Sequence, residues 1–293
     1  MRPFLLVDGN NLLVRAVEAT RHAAMHSNDG TDTSALVVFI KTISRYIREE
    51  KPYRVMVCWD SGPGWRNQIY PAYKANRPQT TDEYRSGTRR LVLEFLSLAR
   101  VPWTYFPGFE AEDLIATYWR YARQPVVILS SDKDLLQMVG PNPNGHPCTQ
   151  IRLSSFNTPT DRWNEQKVTD HYGCTPAQLP ALMSLWGDTS DGIPGVRGIG
   201  EKYALKHLTA AGWDLNAIEH PAIAEARDTG QVAIYRQLVD LRDPPYESYP
   251  DGTVSPFMPV TPGPDVAWHA LWKFLTELQL RDIERRLLAG ELW

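Results

Sequence analysis

Short apolar runs alternate with longer amphipathic segments through the first two-thirds of the chain. Four apolar runs, each bounded by polar or turn-forming residues, predict buried strands over 4–7, 55–58, 103–106 and 126–129. Between them, apolar residues recur at helical spacing and predict helices over 34–49, with Ser34 as its cap, 89–99 and 111–121. Strands that alternate with helices indicate an α/β fold with a mostly parallel central sheet and helices on both faces.

Acidic residues follow the predicted strands. Three of the apolar runs lead into Asp8, Asp60 and Asp132, and ligands of parallel sheets gather at the carboxyl ends of strands. Helix capping is the simpler interpretation for Asp132 and for Asp113. Acidic clusters at four matching ends favour a shared site, and its further members are Asp134 and the helix-start residues Glu110, Glu112 and Asp113.

A glycine-rich stretch at 182–208 adds two more carboxylates. Asp188 and Asp191 are three residues apart, so they would share one face if the backbone there is helical. Four glycines crowd positions 192–200, and such a turn lets another backbone approach closely while its N–H groups face an anion. Carboxylates beside this turn predict metal-dependent chemistry on a phosphate chain.

The clustered acids require cations, because like charges held together repel. Ligands that are all oxygen, with no Cys or His nearby, favour Mg²⁺ or Mn²⁺ over zinc. Two such ions about 3.5–4 Å apart can activate water and stabilise both oxygens of an in-line displacement at phosphorus. The net charge of −3 does not exclude a polyanionic substrate, since the rest of the chain is mildly basic once the nine clustered acids are set aside.

Composition excludes several other classes of protein. No apolar run reaches membrane-spanning length, and we expect the N-terminus to lead directly into a strand instead of a signal peptide. Cys58, Cys148 and Cys174 are odd in number and lack CxxC spacing, which predicts reduced thiols in a cytoplasmic protein.

The segments VDGNN, FPGFEAED, SSDKDLLQMV and GDTSDGIPGVRGIGEK, in this order, resemble the 5′-to-3′ exonuclease and flap endonuclease family. The resemblance runs from Phe4 to about Leu208 and implies a PIN-like 5′ nuclease with a helical arch near 66–100. It divides the chain into an α/β nuclease domain at 1–160 and a helical C-terminal region at 161–293, which carries a helix-three-turn-helix near 182–208. No polymerase domain would fit after the match, so we expect a stand-alone nuclease.

The resemblance also assigns roles to residues. It implies two Mg²⁺ or Mn²⁺ ions held by nine acids, and a K⁺ ion that bridges the glycine turn and a DNA phosphate. Glu112 is longer by one methylene than the family's aspartate. The predicted metal ligands are Asp8, Asp60, Glu110, Glu112, Asp113, Asp132, Asp134, Asp188 and Asp191, and the predicted duplex contacts of the turn are Gly195, Arg197, Gly198, Gly200 and Lys202.

YPAYKANRP at 70–78 resembles the family's segment at the base of the arch. There Tyr73 is expected to stack on a base, while Lys74 and Arg77 hold the scissile phosphate. The alternative is a solvated basic loop. The polar segment 79–90 is expected to be a mobile gateway that orders on DNA, and Trp65 is a further candidate for base contact.

The resulting prediction is a monomeric, metal-dependent nuclease of DNA replication or repair that cuts near 5′ ends and flaps, leaves 5′-phosphates and does not bind membranes. Two other classes stay open: a structure-specific DNA-binding protein without catalysis, and a small-molecule phosphohydrolase. A small-molecule phosphohydrolase would leave the glycine turn and the YKANR segment without a function.

Overall fold

The structure is a computed structural model that describes residues 1–22, 25–76, 83–153, 161–243 and 268–291. Its centre is a seven-stranded sheet with the order β3-β2-β1-β4-β6-β5, and β7 pairs with β6. All pairs are parallel except β5–β6 and β6–β7. The strands are β1 (Phe4–Asp8), β2 (Arg54–Trp59), β3 (Trp103–Tyr105), β4 (Val126–Leu129), β5 (Gly140–Pro141), β6 (Pro147–Arg152) and β7 (Asp161–Trp163).

Helices cover the sheet and form most of the C-terminal half. They are α1 (Gly9–Thr20), α2 (Ser34–Glu50), α3 (Trp65–Ile69), α4 (Glu83–Leu98), α5 (Ala111–Tyr121), α6 (Glu165–Tyr172), α7 (Leu179–Trp186), α8 (Glu201–Ala210), α9 (Pro221–Asp228), α10 (Gln231–Val239), α11 (Trp268–Glu277) and α12 (Arg281–Leu288). No helix in these described ranges has the length and apolarity needed to cross a membrane.

The central strand β1 shows why the sheet is covered twice. Successive side chains of a strand point to opposite faces. Accordingly, Leu5 and Val7 pack into one core with α1, α2 and α4, whereas Phe4 and Leu6 pack into a second core with α5. Both faces are therefore apolar, which confirms the fold that was predicted from uninterrupted apolar strands.

Parallel register brings the strand ends together. Val7 lies opposite Leu129 of β4, and Asp8 lies opposite Cys58 of β2. The residues that follow these strands consequently meet at one edge of the sheet. The four predicted strands and the helix over 111–121 are confirmed.

One predicted helix start and one predicted helix cap are wrong. The helix expected from residue 89 begins at Glu83, so Arg85, Arg89 and Arg90 of the expected gateway lie on α4. Thr33, not Ser34, is the cap of α2, and the Ser34 hydroxyl instead donates to the Asp32 carboxylate. Residues 79–82 of the gateway lie outside the described residues.

The turn expected at 141–147 is part of a hairpin between β5 and β6. Sequence patterning missed these strands, because β5 has two residues and β6 alternates around the polar, fully buried Gln150.

The C-terminal helix pair returns to the first core. Leu271, Phe274 and Leu275 of α11 are buried in the same cluster as the β1 residues Leu5 and Val7. Helices α6 to α10 pack into two further clusters that also include Leu136, Val139 and Tyr73, whereas α11 and α12 complete the core with α2 and α4.

Candidate metal centre

Asp8 lies at the end of β1 and is held by the elements on either side. One carboxylate oxygen accepts from the Asn11 amide at 2.9 Å and caps α1, and the other accepts from the Ser130 hydroxyl at 2.9 Å. Burial raises the pKa of Asp8 to about 7, and the nearby charges of Asp60 and Asp132 add to the shift. The three strand-end aspartates are therefore close enough to interact.

Ser130 to Asp134 form a tight acidic turn after β4. The Asp132 carboxylate accepts from the Asp134 amide at 2.9 Å, and Gln150 donates to the carbonyls of Ser130 and Asp132. Burial raises the pKa of Asp132, and burial together with the neighbouring Asp132 raises that of Asp134 well above its ordinary value. The Oδ1 atom of Asp134 is buried and has no hydrogen-bond partner in the described part of the chain.

The glycine turn places Asp188 and Asp191 near Asp134. Asp188 caps a short 3₁₀ helix, Thr189–Asp191, and one carboxylate oxygen each from Asp134, Asp188 and Asp191 lie within 4.8 Å of one another. These groups line a cavity of about 300 Å³ together with Ser131, Asp132, Lys133, Arg152 and Ser190.

Gly192 brings the 70–76 segment against the same turn. It has a positive φ of 73°, and a Cβ there would lie 2.7 Å from the Ala72 carbonyl oxygen, so only glycine permits this approach. The Lys74 amide then donates to the Asp191 carbonyl at 2.8 Å. The Lys74 ammonium lies 2.7 Å from Glu110 and 3.6 Å from Asp191, so it bridges the two acidic groups.

Tyr73 does not act as predicted. Its side chain is 3% exposed, and its hydroxyl contacts the carboxylates of Glu110 at 2.9 Å and Asp191 at 3.1 Å. A base cannot stack on a ring that is already covered. The stacking role was predicted from residue type alone. In the structure the ring is buried in a hydrophobic cluster, and the hydroxyl contacts carboxylates of the protein.

The acids at the start of α5 divide into two roles. Although burial opposes it, Arg66 and Lys74 lower the pKa of Glu110 to about 2. Burial raises the pKa of Glu112 well above its ordinary value despite the Arg66 guanidinium 3.0 Å away. Asp113 is 0% exposed, and both of its oxygens accept hydrogen bonds from Arg66 at 2.9 Å. The structure thereby contradicts the prediction that Asp113 is a metal ligand.

Two cations of the site were missed by sequence reasoning. Arg66 is buried beneath the acids, and Lys133 lies 3.0 Å from Asp188 and over the ring of Trp186. Although burial opposes it, hydrogen bonds from Ser190 and Lys133 lower the pKa of Asp188. The sequence signal for Lys133 was its position between Asp132 and Asp134, whereas the acidic partners of Arg66 are remote in sequence.

The donor set fits a hard divalent cation. Every candidate ligand is a carboxylate oxygen, as Mg²⁺ and Mn²⁺ prefer. The Oδ1 of Asp134, which no described residue contacts by a hydrogen bond, is the most direct indication, because a buried carboxylate oxygen without a partner is unfavourable. The carboxylates that fit this role are Asp8, Asp60, Glu110, Glu112, Asp132, Asp134, Asp188 and Asp191.

The predicted DNA contacts of the glycine turn also divide. Arg197, Gly198, Gly200 and Lys202 are exposed, and a Cβ on either glycine would meet nothing within 4 Å. Gly195 is buried instead, and a Cβ there would lie 2.4 Å from the Trp186 carbonyl oxygen. Its role is close packing inside the turn, which contradicts its predicted contact with DNA. Arg77 lies outside the described residues.

Comparisons with known proteins agree with this architecture. The family model described as "5'-3' exonuclease, N-terminal resolvase-like domain" matches residues 3–173. DNA polymerase I of Mycobacterium bovis is 32% identical over 259 residues, which cover 84% of this chain and 28% of that protein. DNA polymerase I of Bacillus caldotenax is 34% identical over 215 residues, which cover 72% of this chain and 24% of that protein. The chain thus spans about a quarter of the length of these relatives.

Solved structures share the fold at low identity. The T5 D15 protein co-crystallised with metal ions aligns with a TM-score of 0.68 and 20% identity, covering 82% of this chain and 90% of that one. Flap endonuclease-1 from Methanococcus jannaschii aligns with a TM-score of 0.52 and 18% identity, covering 81% and 78%.

Proposed function

This chain belongs to the 5′-3′ exonuclease family, and we propose that it hydrolyses DNA phosphodiester bonds near 5′ ends and flaps, leaving 5′-phosphates. The observation that carries the proposal is the shared basin. Asp132, Asp134, Asp188 and Asp191 line one cavity, and the charge of Asp132 acts on both Asp8 and Glu112; an exposed turn that can bind a phosphate backbone lies in the same segment as Asp188 and Asp191. A small-molecule phosphohydrolase would need no such turn.

We assign the ligands to two groups. Asp134, Asp188 and Asp191 would hold one ion, and Asp8, Asp60, Glu110, Glu112 and Asp132 would hold the other. When bound, Mg²⁺ or Mn²⁺ lowers the pKa of a water and stabilises charge on the attacking and leaving oxygens.

The chain's own residues would bind and orient the substrate. Lys74, already at the acids, stabilises negative charge that develops on the scissile phosphate, and Arg77 is proposed to assist it. Arg197 and Lys202 contact the duplex backbone beside the exposed glycines, where a K⁺ ion is proposed to bridge turn and phosphate. The protein is proposed to act as a cytoplasmic monomer, with 1–160 forming the nuclease domain.

A labelled 5′-flap substrate tests this proposal directly. Cleavage in Mg²⁺ that yields 5′-phosphate products, stops in EDTA and returns with excess Mg²⁺ is the expected result. p-Nitrophenyl phosphate is the matched control substrate and should not be hydrolysed. Chelator-insensitive cleavage, no cleavage, or preference for p-nitrophenyl phosphate would each contradict the proposal.

Lys202→Ala is expected to weaken binding to duplex-containing DNA. Loss of one phosphate contact should make the negative slope of log K, where K is the DNA-binding constant, against log salt concentration shallower by about 0.9, because one fewer counterion is released. Fluorescence anisotropy in EDTA across a salt series measures this slope. Lys273→Ala on α11, an exposed lysine paired with Glu277, is the matched control and should leave the slope unchanged. An unchanged slope in Lys202→Ala would show that the turn does not touch phosphate.

Mg²⁺ is expected to stabilise the protein more at about pH 8 than at about pH 5, because a carboxyl must lose its proton to bind the ion. The pKa of Asp8 rises from 3.8 to about 7 on folding, so the folded metal-free protein binds more protons between these values. The contribution of Asp8 to the free energy of unfolding is therefore greatest at low pH and decreases as pH rises through this window.

Thermal unfolding in EDTA and in Mg²⁺ at both pH values checks this prediction. Asp8→Asn is the informative variant, since it should reduce both the pH dependence in EDTA and the stabilisation by Mg²⁺. An equal Mg²⁺ effect at both pH values in the wild type would contradict the proposed ligation by Asp8.

A further inference from the structure

We propose that Arg66 is a positioning residue of the metal centre, which presents Glu110 and Glu112 to an ion by using Asp113 as its buried anchor. The inference rests on the proposed function for the identity of the basin. It concerns a residue that contacts neither the substrate nor the ion itself.

The Arg66 guanidinium donates four hydrogen bonds and makes one further charge contact. A guanidinium carries five N–H groups in a fixed plane. Nε donates to the Leu238 carbonyl at 2.9 Å, Nη1 contacts Asp113 at 2.9 Å and Glu110 at 3.3 Å, and Nη2 contacts Asp113 at 2.9 Å and Glu112 at 3.0 Å. One side chain, 2% exposed, therefore joins α3, the start of α5 and the end of α10.

Aromatic rings fix the plane of this group. The Arg66 Cζ atom lies 4.4 Å from the centroid of the Trp65 ring and 5.8 Å from that of Tyr73. Rotation of the guanidinium would lose both stacking contacts and the paired hydrogen bonds to Asp113. The directions of the remaining two N–H groups, toward Glu110 and Glu112, are fixed as a result.

Both carboxylate oxygens of the fully buried Asp113 are engaged by the protein. Its Oδ2 accepts from Arg66, from the Glu110 amide at 2.9 Å and from the Trp65 indole at 3.4 Å, while Oδ1 accepts from the other Arg66 nitrogen. Asp113 thus cancels the charge of Arg66 and locks the first turn of α5. Arg66 contacts one oxygen each of Glu110 and Glu112, and the other Glu110 oxygen, Oε1, is held by Lys74 at 2.7 Å.

Lysine cannot replace this arrangement. An ammonium is a point charge with three donors and no plane, so it cannot hold one carboxylate bidentately and orient two others. Arg66→Lys keeps the charge and should weaken the ion held by Glu110 and Glu112 by about 10- to 100-fold, as loss of outer-shell partners does elsewhere. The ion at Asp134, Asp188 and Asp191 should be unaffected, because Arg66 contacts none of these residues in the described structure.

Mn²⁺ titration of EDTA-stripped protein, with free Mn²⁺ measured by electron paramagnetic resonance and without DNA, tests this inference. Wild type should bind two ions, and Arg66→Lys should weaken one of them. Arg45→Lys is the matched control, since Arg45 is an exposed arginine paired with Glu49 and should leave both Kd values unchanged. A folded Arg66→Lys protein with two unchanged Kd values would overturn the inference, because a merely structural arginine would lower Tm and not the affinity for metal.

Asp113→Asn decides the matter independently if Arg66→Lys does not fold. The anchor role predicts that the ion at Glu110 and Glu112 binds about 10- to 100-fold more weakly while the ion at Asp134, Asp188 and Asp191 is unchanged, and two unchanged Kd values would overturn the inference. These readouts are separate from activity. A wild-type protein that binds two Mn²⁺ ions but cuts no flap would contradict the proposed function and leave the role of Arg66 standing.

Discussion

Asp134→Asn is expected to reduce flap cleavage at least about a thousandfold, since loss of an ion removes several kcal/mol of transition-state stabilisation and each 1.36 kcal/mol is tenfold in rate. The Oδ1 atom of Asp134 is buried without a hydrogen-bond partner among the described residues, and one Asp134 oxygen lies within 4.8 Å of one oxygen each of Asp188 and Asp191. The amide is nearly isosteric but uncharged, so the fold should persist while the ion is lost. DNA binding depends on the exposed turn and should be retained.

Single-turnover cleavage in Mg²⁺ and anisotropy binding in EDTA measure the two effects separately. Asp228→Asn is the matched control, because Asp228 is 69% exposed on α9 and pairs only with its neighbour Arg227 among the described contacts. It should cleave at the wild-type rate. Wild-type turnover by Asp134→Asn would contradict the assignment, as would lost DNA binding with turnover retained.

Lys74→Met is expected to lower the cleavage rate by about 10²- to 10³-fold, the usual effect of removing one group that stabilises transition-state charge. The Lys74 ammonium lies between Glu110 and Asp191, where a phosphate bound to the proposed ions would meet it. Methionine keeps the length of the side chain and removes the charge. Metal binding should not weaken, because a cation that competes for the same carboxylates has gone.

This opposite behaviour of rate and metal affinity separates Lys74 from the ligands. Single-turnover rates and Mn²⁺ titration report the two quantities. Lys167→Met is the matched control. Lys167 is 44% exposed, and it forms an ion pair with Asp161, which is remote in sequence from α5. If Lys74→Met cleaves normally, or if it loses an ion, the proposed electrostatic role is wrong.

The sequence predicts much of this fold because β1, β2 and β4 are apolar on both faces. Such strands have few other places to lie than the middle of a covered parallel sheet. Once they are parallel, the register alone brings Asp8, Asp60 and Asp132 to one edge. These acids converge because of the sheet topology, which can be predicted from the pattern of apolar residues.

The roles of individual side chains depend on tertiary contacts that patterning does not encode. Asp113 and Glu112 are adjacent acids, yet Asp113 accepts two hydrogen bonds from Arg66, whereas Glu112 contacts Arg66 through one oxygen at 3.0 Å. Tyr73 and Gly195 were predicted to touch DNA, but the protein covers both. The sequence around Arg66 does not mark this residue as buried, because arginine is mostly exposed in proteins and the partners of Arg66 are remote in sequence.

Diffraction from crystals soaked in Mn²⁺, measured at the manganese absorption edge, tests the central claim most directly. The account predicts two anomalous peaks in the acidic basin, one bound by Asp134, Asp188 and Asp191 and one bound by the strand-end acids with Glu110 and Glu112. No anomalous peak in the basin at saturating Mn²⁺, or a peak bound by Asp113, would contradict it.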